Sequence, residues 1–306
     1  MSDGGVLLID KPVGPTSHDV VQKVRRKLGT RRVGHAGTLD PPASGLLVLC
    51  ADDATRLLEY LVASTKGYTG EVVFGLATDT DDATGKVIAS ASASQLTDER
   101  VQSAVSALTG VIEQVVPVYS AVHIDGKRAY DLARKGETVD MPSREVHIHE
   151  FEVGAIQVEG EVARATFSVT CSKGTYIRAL CRDLGEQLGI PAHMASLRRV
   201  AVGLANLSAA VSLEDFLASE RPEQFFVSPE SLLSEYPFIS ASTAMLERLS
   251  NGQRIPLREL AKPTPDLAVK ETVMVTDEGR LALVAEVEEL RGTLVLQPKK
   301  VFWKRG

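Results

Sequence analysis

Apolar and polar residues follow two rhythms along this chain, and the rhythms divide it into elements. Residues 6–9 and 46–49 are short apolar runs that read as buried strands. Between them Val20, Val21, Val24 and Leu28 recur at helical spacing, with Thr16 or Ser17 placed to cap the helix and Gly29 to close it. A second helical pattern, over 52–63, turns Leu57, Leu58, Leu61 and Val62 inward. Residues 65–75 switch to period two, which puts Tyr68, Val72 and Phe74 on one face and Thr69, Glu71 and Val73 on the other. The polar loop at 78–85 lacks the closing glutamate of a calcium-binding loop, and 91–94 reads as a surface link. A helix from a Thr97 cap to residue 108 follows, then a strand at Val162–Cys171, then a helix capped by Thr175 with Ile177, Leu180, Cys181, Leu184 and Leu188 inward. The acidic stretch 214–235 reads as a boundary or connecting helix. After it come a helix near 245–249 and strands near 273–275, 281–287 and 293–297. These elements predict an α+β protein with a small β-rich C-terminal domain.

Length and composition sharpen this. A chain of 306 residues with 44% hydrophobic content can build one large domain and one small one. No apolar run is long enough to span a membrane, and the N-terminal MSDGGVLLIDKP does not read as a signal peptide. Three cysteines without a CxxC pair predict free thiols in a reducing cytoplasm and no zinc site. His147 and His149 alternate on a strand without a third ligand nearby, so no metal is expected. The net charge of −6 argues mildly against a nucleic-acid partner, but its distribution argues the other way. Lys23, Arg25, Arg26, Lys27, Arg31 and Arg32 form one basic run; Lys127, Arg128, Arg134 and Lys135 a second; Arg198–Arg199 a third; Lys299, Lys300, Lys304 and Arg305 a fourth. Phosphates respond to the local field rather than the sum, although each run alone equally fits a solvated helix face.

Candidate chemistry concentrates at 31–49, RRVGHAGTLDPPASGLLVL, where Asp40 stands between glycines and prolines ahead of a core strand. Gly34 and Gly37 open backbone conformations closed to other residues, and Pro41 pushes Asp40 out of the helical region. Taken alone this fits an ordinary turn as well as a displayed reactive group. Arg178 falls in the first turn of its helix, where the dipole opposes a cation, so a carboxylate or phosphate partner is expected. Tyr119, Lys127, Arg128 and Tyr130 interleave aromatics with cations, as RNA-contacting segments do.

The string GHAGTLDPPASGLL resembles the signature loop of the TruB family of tRNA pseudouridine synthases, GHxGTLDPxAxGxL, departing from its commonest form at Ala36, Pro42 and Ser44. The segments DKPVGPTS, TKGYTGEVVFG, TDTDDATG, PVYSAVHIDGKRAYDLARKG, GTYIRALCRDLG and AHMASLRRVAVG resemble further motifs of that family, and together they span roughly 6–203. The resemblance implies a pseudouridine synthase fold over 1–228, with a central mixed, mostly antiparallel sheet and an RNA-gripping insertion at about 117–145, followed by a PUA-like RNA-binding domain at 236–306. It implies that Asp40 is catalytic, that Arg178 pairs with it, and that Tyr68 stacks on the target base and takes part in proton transfer. His35, Lys66, Asp82, Tyr119, Lys127, Arg128, Tyr176, Leu197 and Arg198 become the expected substrate and RNA contacts. The implied reaction isomerises uridine to pseudouridine at position 55 in the T-arm loop of tRNA, by base flipping and exchange of the C1′–N1 bond for C1′–C5. No cofactor, metal, guide RNA or membrane is implied, and the enzyme is expected to be a cytoplasmic monomer. Other classes fit part of the pattern: a tRNA-binding folding chaperone with incidental catalysis, a guide-dependent synthase, and a base-releasing N-glycosidase.

Overall fold

The computed structural model describes residues 4–62, 65–120, 122–124, 127–130, 140–260 and 267–304. The two apolar runs become β1 (Gly5–Lys11) and β2 (Ser44–Ala51), which pair antiparallel from Gly5 opposite Ala51 to Lys11 opposite Gly45. Both are buried almost throughout because both faces are covered. On one face lies α1 (Ser17–Leu28), whose Val20, Val21 and Val24 pack on Leu7, Ile9, Leu47 and Leu49. Thr16 and Asp19 form a reciprocal cap at its start, and Gly29, at φ 67°, ends it.

The main sheet continues through β3 (Lys66–Phe74), β4 (Gly110–Val115), β5 (Ser143–Val153), β6 (Val162–Cys171) and β7 (Ala192–Val202), in the order β1-β2-β7-β3-β6-β5-β4. Neighbours along that order are antiparallel except β2 and β7, which run parallel with Arg198 opposite Ser44 and Arg199 opposite Gly45. The sheet is therefore mixed and mostly antiparallel. α2 (Asp98–Ala107), capped by Thr97, and α3 (Ile177–Leu188) cover one of its faces, and Val72, Phe74, Val105, Ile148, Phe167, Val169, Leu180 and Leu184 fill the layer between.

Four local expectations change. Residues 52–63 do not make one helix: Asp52, at φ 51°, starts a 3-10 turn over Asp52–Leu57, and only Leu58–Val62 is α-helical. The link at 91–94 is not all surface, since Ala93 is fully buried beside Leu96 in the main core. Thr175 does not cap α3. Its hydroxyl donates to Ser172 O, and the Tyr176 N–H instead donates to Gln114 Oε1 of β4 at 2.8 Å. The acidic stretch is no free linker either, because it forms α4 (Leu213–Ala218) and a strand, Phe226–Val227, paired with β1.

A second, five-stranded sheet holds β8 (Phe238–Ser240), β9 (Ile255–Pro256), β10 (Thr272–Asp277), β11 (Arg280–Leu290) and β12 (Thr293–Val301), in the order β8-β10-β11-β12-β9. With α5 (Thr243–Ser250) it encloses its own core of Leu246, Leu249, Val273, Val275, Leu283 and Leu296, an arrangement consistent with a PUA-like domain. Met274 and Val284 pack with Leu57, Leu61 and Leu232, and the Arg56 guanidinium donates to Val301 O, so the two parts share an apolar seam. Among the described residues no helix is long and apolar enough to cross a membrane.

The parallel junction of β2 with β7 depends on Gly45. Its φ is 99°, and a Cβ there would stand 2.3 Å from the backbone oxygen of Arg199. Gly45→Ala is expected to destabilise the protein by about 2 kcal/mol or more, measured as a lower midpoint in urea unfolding. An unchanged midpoint would contradict the assigned junction.

Candidate active site

The Asp40 loop is irregular, so its shape depends on what its backbone groups meet. Ser17, at the start of α1, both accepts from Leu39 N at 2.8 Å and donates to Leu39 O at 3.0 Å. Lys11 is fully buried, and its ammonium donates to Pro12 O and Pro15 O at 2.9 and 2.8 Å, with Pro41 O at 3.5 Å. The Gly14 N–H reaches Pro41 O as well. Arg199, almost wholly buried on β7, donates to Leu46 O at 2.8 Å, Gly37 O at 3.0 Å and Thr38 O at 3.3 Å. Two buried cations thus grip the carbonyls on either side of Asp40. Burial pushes the Lys11 pKa down, and the nearby Asp40 charge pulls it partly back.

Asp40 points at α3. Its Oδ2 is 3.1 Å from Arg178 Nε, with the arginine side chain 7% exposed and the aspartate 44%. Arg178 also donates to Thr80 O at 2.9 Å and Tyr119 O at 3.1 Å, and its Nε stands 3.8 Å from Asp82 Oδ2. Two carboxylates and two carbonyls therefore offset the helix dipole that opposes a cation in this turn. Asp82 is held in turn, its Oδ1 accepting from Thr80 Oγ1 at 2.8 Å and Thr84 N at 2.9 Å. One turn along α3, Arg182 pairs with Asp81 at 3.1 Å and donates to Val115 O at 3.0 Å, tying the 78–85 loop to the end of β4.

In front of this pair lies a hollow of about 400 Å3 walled by Asp40, Tyr68, Tyr119, Tyr176, Arg178 and Leu197. Tyr68 is buried, with the Arg199 charge acting on its phenol. A guanidinium can only donate, so it makes no claim on the phenol proton, which stays available to a bound ring. Burial raises the Tyr68 pKa, while the Arg199 charge acts against that rise. Arg144 sits 5.0 Å from the centre of the Tyr176 ring. A wider hollow of about 950 Å3 lies past Leu197, lined by Thr69, Glu71, Glu152, Thr166 and Ser168, but neither Asp40 nor Arg178 reaches it. The smaller one holds the chemistry: an ionisable oxygen, a phenol, and apolar walls suited to a flat ring.

The sequence-predicted site residues divide into those that line this hollow and those that do not. Asp40, Tyr68, Tyr119, Tyr176, Arg178 and Leu197 do. Asp82 is buried behind Arg178, and therefore supports that guanidinium rather than facing RNA. Lys66 is also buried, its Nζ donating to Val62 O, and burial lowers its pKa to about 8, so it does not offer an open ammonium to a phosphate. Arg198 is paired with Asp10 at 2.6 Å on the other side of β7. His35 is half-buried, with Nδ1 lacking a protein partner; burial and the Arg199 charge lower its pKa and favour neutral imidazole. Lys127 and Arg128 form a short strand against His123–Ile124, but their side chains, like much of 117–145, lie outside the described residues. Lys11, Ser17, Thr80 and Arg199 were not anticipated as part of the site. The available signal for Arg199 was strand alternation: beside an outward Arg198, it must point inward, where an unpaired arginine is rare.

Similarity to known proteins agrees with this geometry. The family described as "TruB family pseudouridylate synthase (N terminal domain)" matches residues 25–177, and "tRNA pseudouridylate synthase B C-terminal domain" matches 178–233. A protein of Moorella thermoacetica named tRNA pseudouridine synthase B is 42% identical over 302 residues, covering 97% of this chain and 99% of its own. One of the same name from an Arthrobacter species is 51% identical over 218 residues, 71% of each chain. Among solved structures, a chain of an "H/ACA RNP bound to a substrate RNA containing 2'-deoxyuridine" shares the fold with a TM-score of 0.75 at 21% identity, covering 99% of this chain and 86% of that one. A chain of a Cbf5-Nop10-Gar1 complex shares it at 0.74 and 23%, covering 98% and 85%. The chain belongs to the TruB family of tRNA pseudouridine synthases, which isomerise uridine within tRNA.

Proposed function

We propose that this enzyme acts on uridine 55 in the T-arm loop of tRNA, with Asp40 as its catalytic carboxylate. The observation that carries the reading is the Asp40–Arg178 pair, 3.1 Å apart at the mouth of a hollow walled by Tyr68 and Leu197. Uridine and pseudouridine have the same atoms. The C1′–N1 bond breaks, the uracil turns, C5 bonds to C1′, C5 gives up a proton and N1 gains one. Nothing is oxidised and no group is imported, so the chain needs no cofactor. A hydrolytic glycosidase typically uses two carboxylates, one to protonate a departing group. Here the base never leaves, and one carboxylate suffices, either attacking C1′ or removing the C2′ proton. Both routes need a carboxylate oxygen held toward the sugar, and Arg178 Nε at 3.1 Å fixes its direction.

The target nucleotide must leave its stack, at a cost of a few kcal/mol. Stacking against an aromatic side chain returns about 1–3 kcal/mol, and Tyr68 and Leu197 offer the walls for it. Tyr68 has a proton to donate to the bound ring, since the guanidinium beside it cannot accept one. We assign 1–228 to catalysis, with 117–145 gripping the RNA, and 236–306 to RNA binding. The chain acts as a cytoplasmic monomer without a guide RNA.

Incubating the purified protein with unmodified tRNA transcript, followed by carbodiimide labelling and reverse transcription, should give one strong stop, at position 55. Stops elsewhere, or a requirement for added RNA, would overturn the assignment, and release of free uracil would indicate an N-glycosidase. Asp40→Asn should abolish the stop while tRNA affinity stays within about threefold, because a carboxamide keeps the shape and loses the charge. A retained stop would place the catalytic group elsewhere in the chain. Tyr68→Phe keeps the apolar wall and loses the donated proton, so kcat should fall about 10²–10³-fold with KM little changed.

A further inference from the structure

Of the four basic clusters in the sequence, two have their described side chains taken up within the protein. Arg198 pairs with Asp10, and Arg199 is buried in the core of the site. In the tail, Lys299 pairs with Glu286 and Glu288, Lys300 with Glu59, and Lys304 with Asp53. The second cluster lies mostly outside the described residues. The first behaves differently. Arg32 is taken up by Asp52 and Asp53, but among the described residues no carboxylate stands within ion-pair distance of Arg25, Arg26, Lys27 or Arg31. In a chain of net charge −6, this is an uncompensated cationic patch.

The patch has a shape as well as a charge. Arg25, Arg26 and Arg31 surround a hollow of about 390 Å3 closed by Gln22, Gly29 and Thr30, at the C-terminal turn of α1. Arg25 is braced by a hydrogen bond to Val33 O at 2.8 Å, and its Nε is buried without a protein partner. Arg26 and Arg31 are exposed on the rim. Asp52, which accepts from Thr30 of the hollow's wall at 2.6 Å, is also paired with Arg32 at 3.5 Å. Gly29 has open space where a Cβ would stand, so an approaching oxygen meets no side chain there. The carbonyls of a helix C-terminus repel an anion by about 0.3–1 kcal/mol, which three guanidiniums outweigh. The other end of α1 carries Ser17, bonded to Leu39 beside Asp40. At 1.5 Å rise per residue, a helix of 12 residues sets the hollow roughly 18 Å from the catalytic loop.

We propose that this hollow is a second RNA site, taking backbone phosphate of the same tRNA several nucleotides away from the flipped uridine. The inference rests on the tRNA reading above and adds where the substrate is gripped at a distance. Arg25 supplies the braced floor, and Arg26 and Arg31 close on the phosphate from the rim. Such contacts act on binding rather than on the bond-changing step, because they are equal in the ground and transition states.

The double substitution Arg26→Gln and Arg31→Gln tests this on the full-length protein, since both side chains are exposed and neither carries a fold contact to another element. For unmodified tRNA, KM should rise roughly tenfold, the sum of two exposed charged contacts, with kcat unchanged. The slope of log binding constant against log salt concentration should flatten by about one to two. Lysine at both positions should restore KM and slope, because a phosphate accepts from an ammonium too. An unchanged KM and salt slope in the glutamine variant would overturn the proposal, as would a fall in kcat alone. Failure of the underlying reading is separately visible, since the unsubstituted protein would then leave no pseudouridine at position 55 in the same assay.

Discussion

The molecule turns on a single pair, Arg178 with Asp40. A carboxylate that is 44% exposed has little of its own to hold it in place, and its charge is solvated from one side by water. The arginine fixes its direction, and it can do so because it is immobilised at four points. Its remaining nitrogens reach Thr80 O and Tyr119 O, and Asp82 stands behind it. Those partners come from three separate segments, with Thr80 and Asp82 sharing one loop. The pair is thus the place where the signature loop, the 78–85 loop, the start of the 117–145 insertion and α3 are required to agree.

That arrangement explains why so much of the fold is spent on cations in unusual places. Lys11 and Arg199 are among the largest fully buried side chains, although burying a charge is costly unless it is well bonded. Lys11 is bonded to carbonyls of the turn after β1 and reaches Pro41 O, and Arg199 is bonded to Gly37 O and Thr38 O, oxygens of irregular backbone. The cations take the role that a regular ladder has elsewhere, and they do so without adding a carboxylate that would compete for Arg178. Gly45 contributes by letting β7 approach β2 closely enough for Arg199 to reach the loop. The same arginine holds the loop carbonyls and puts its charge on the buried Tyr68 phenol, so loop shape and phenol surroundings are coupled through one residue.

Much of this was legible in the sequence, and the illegible parts have identifiable causes. Period-two and helical spacing placed β3, β6, α1 and α2 closely because their signals are local. The awkward position of Arg178 in a first helical turn called for a carboxylate, and Asp40 answers it. What spacing could not give was which side of a strand faces which layer. Adjacent arginines 198 and 199 read as one basic cluster, yet one is an outward ion pair and the other a core bond. Asp82 and Lys66 were expected as substrate or RNA contacts because their motifs resemble the family's; burial, which only the tertiary structure sets, turns them inward. Thr175 looked like a cap because capping residues usually lie beside the helix they serve, whereas here Gln114 reaches in from β4.

The sharpest test of the account is the rate of the chemical step when Arg178 becomes lysine, measured in a single turnover with enzyme in excess over unmodified tRNA. Lysine keeps the positive charge but cannot hold Asp40, Thr80 and Tyr119 in one plane. The account predicts a loss of about a hundredfold or more in the single-turnover rate, with tRNA affinity retained. A variant that forms pseudouridine at the parent rate would show that the carboxylate needs no guanidinium to hold it, and the central claim would be wrong.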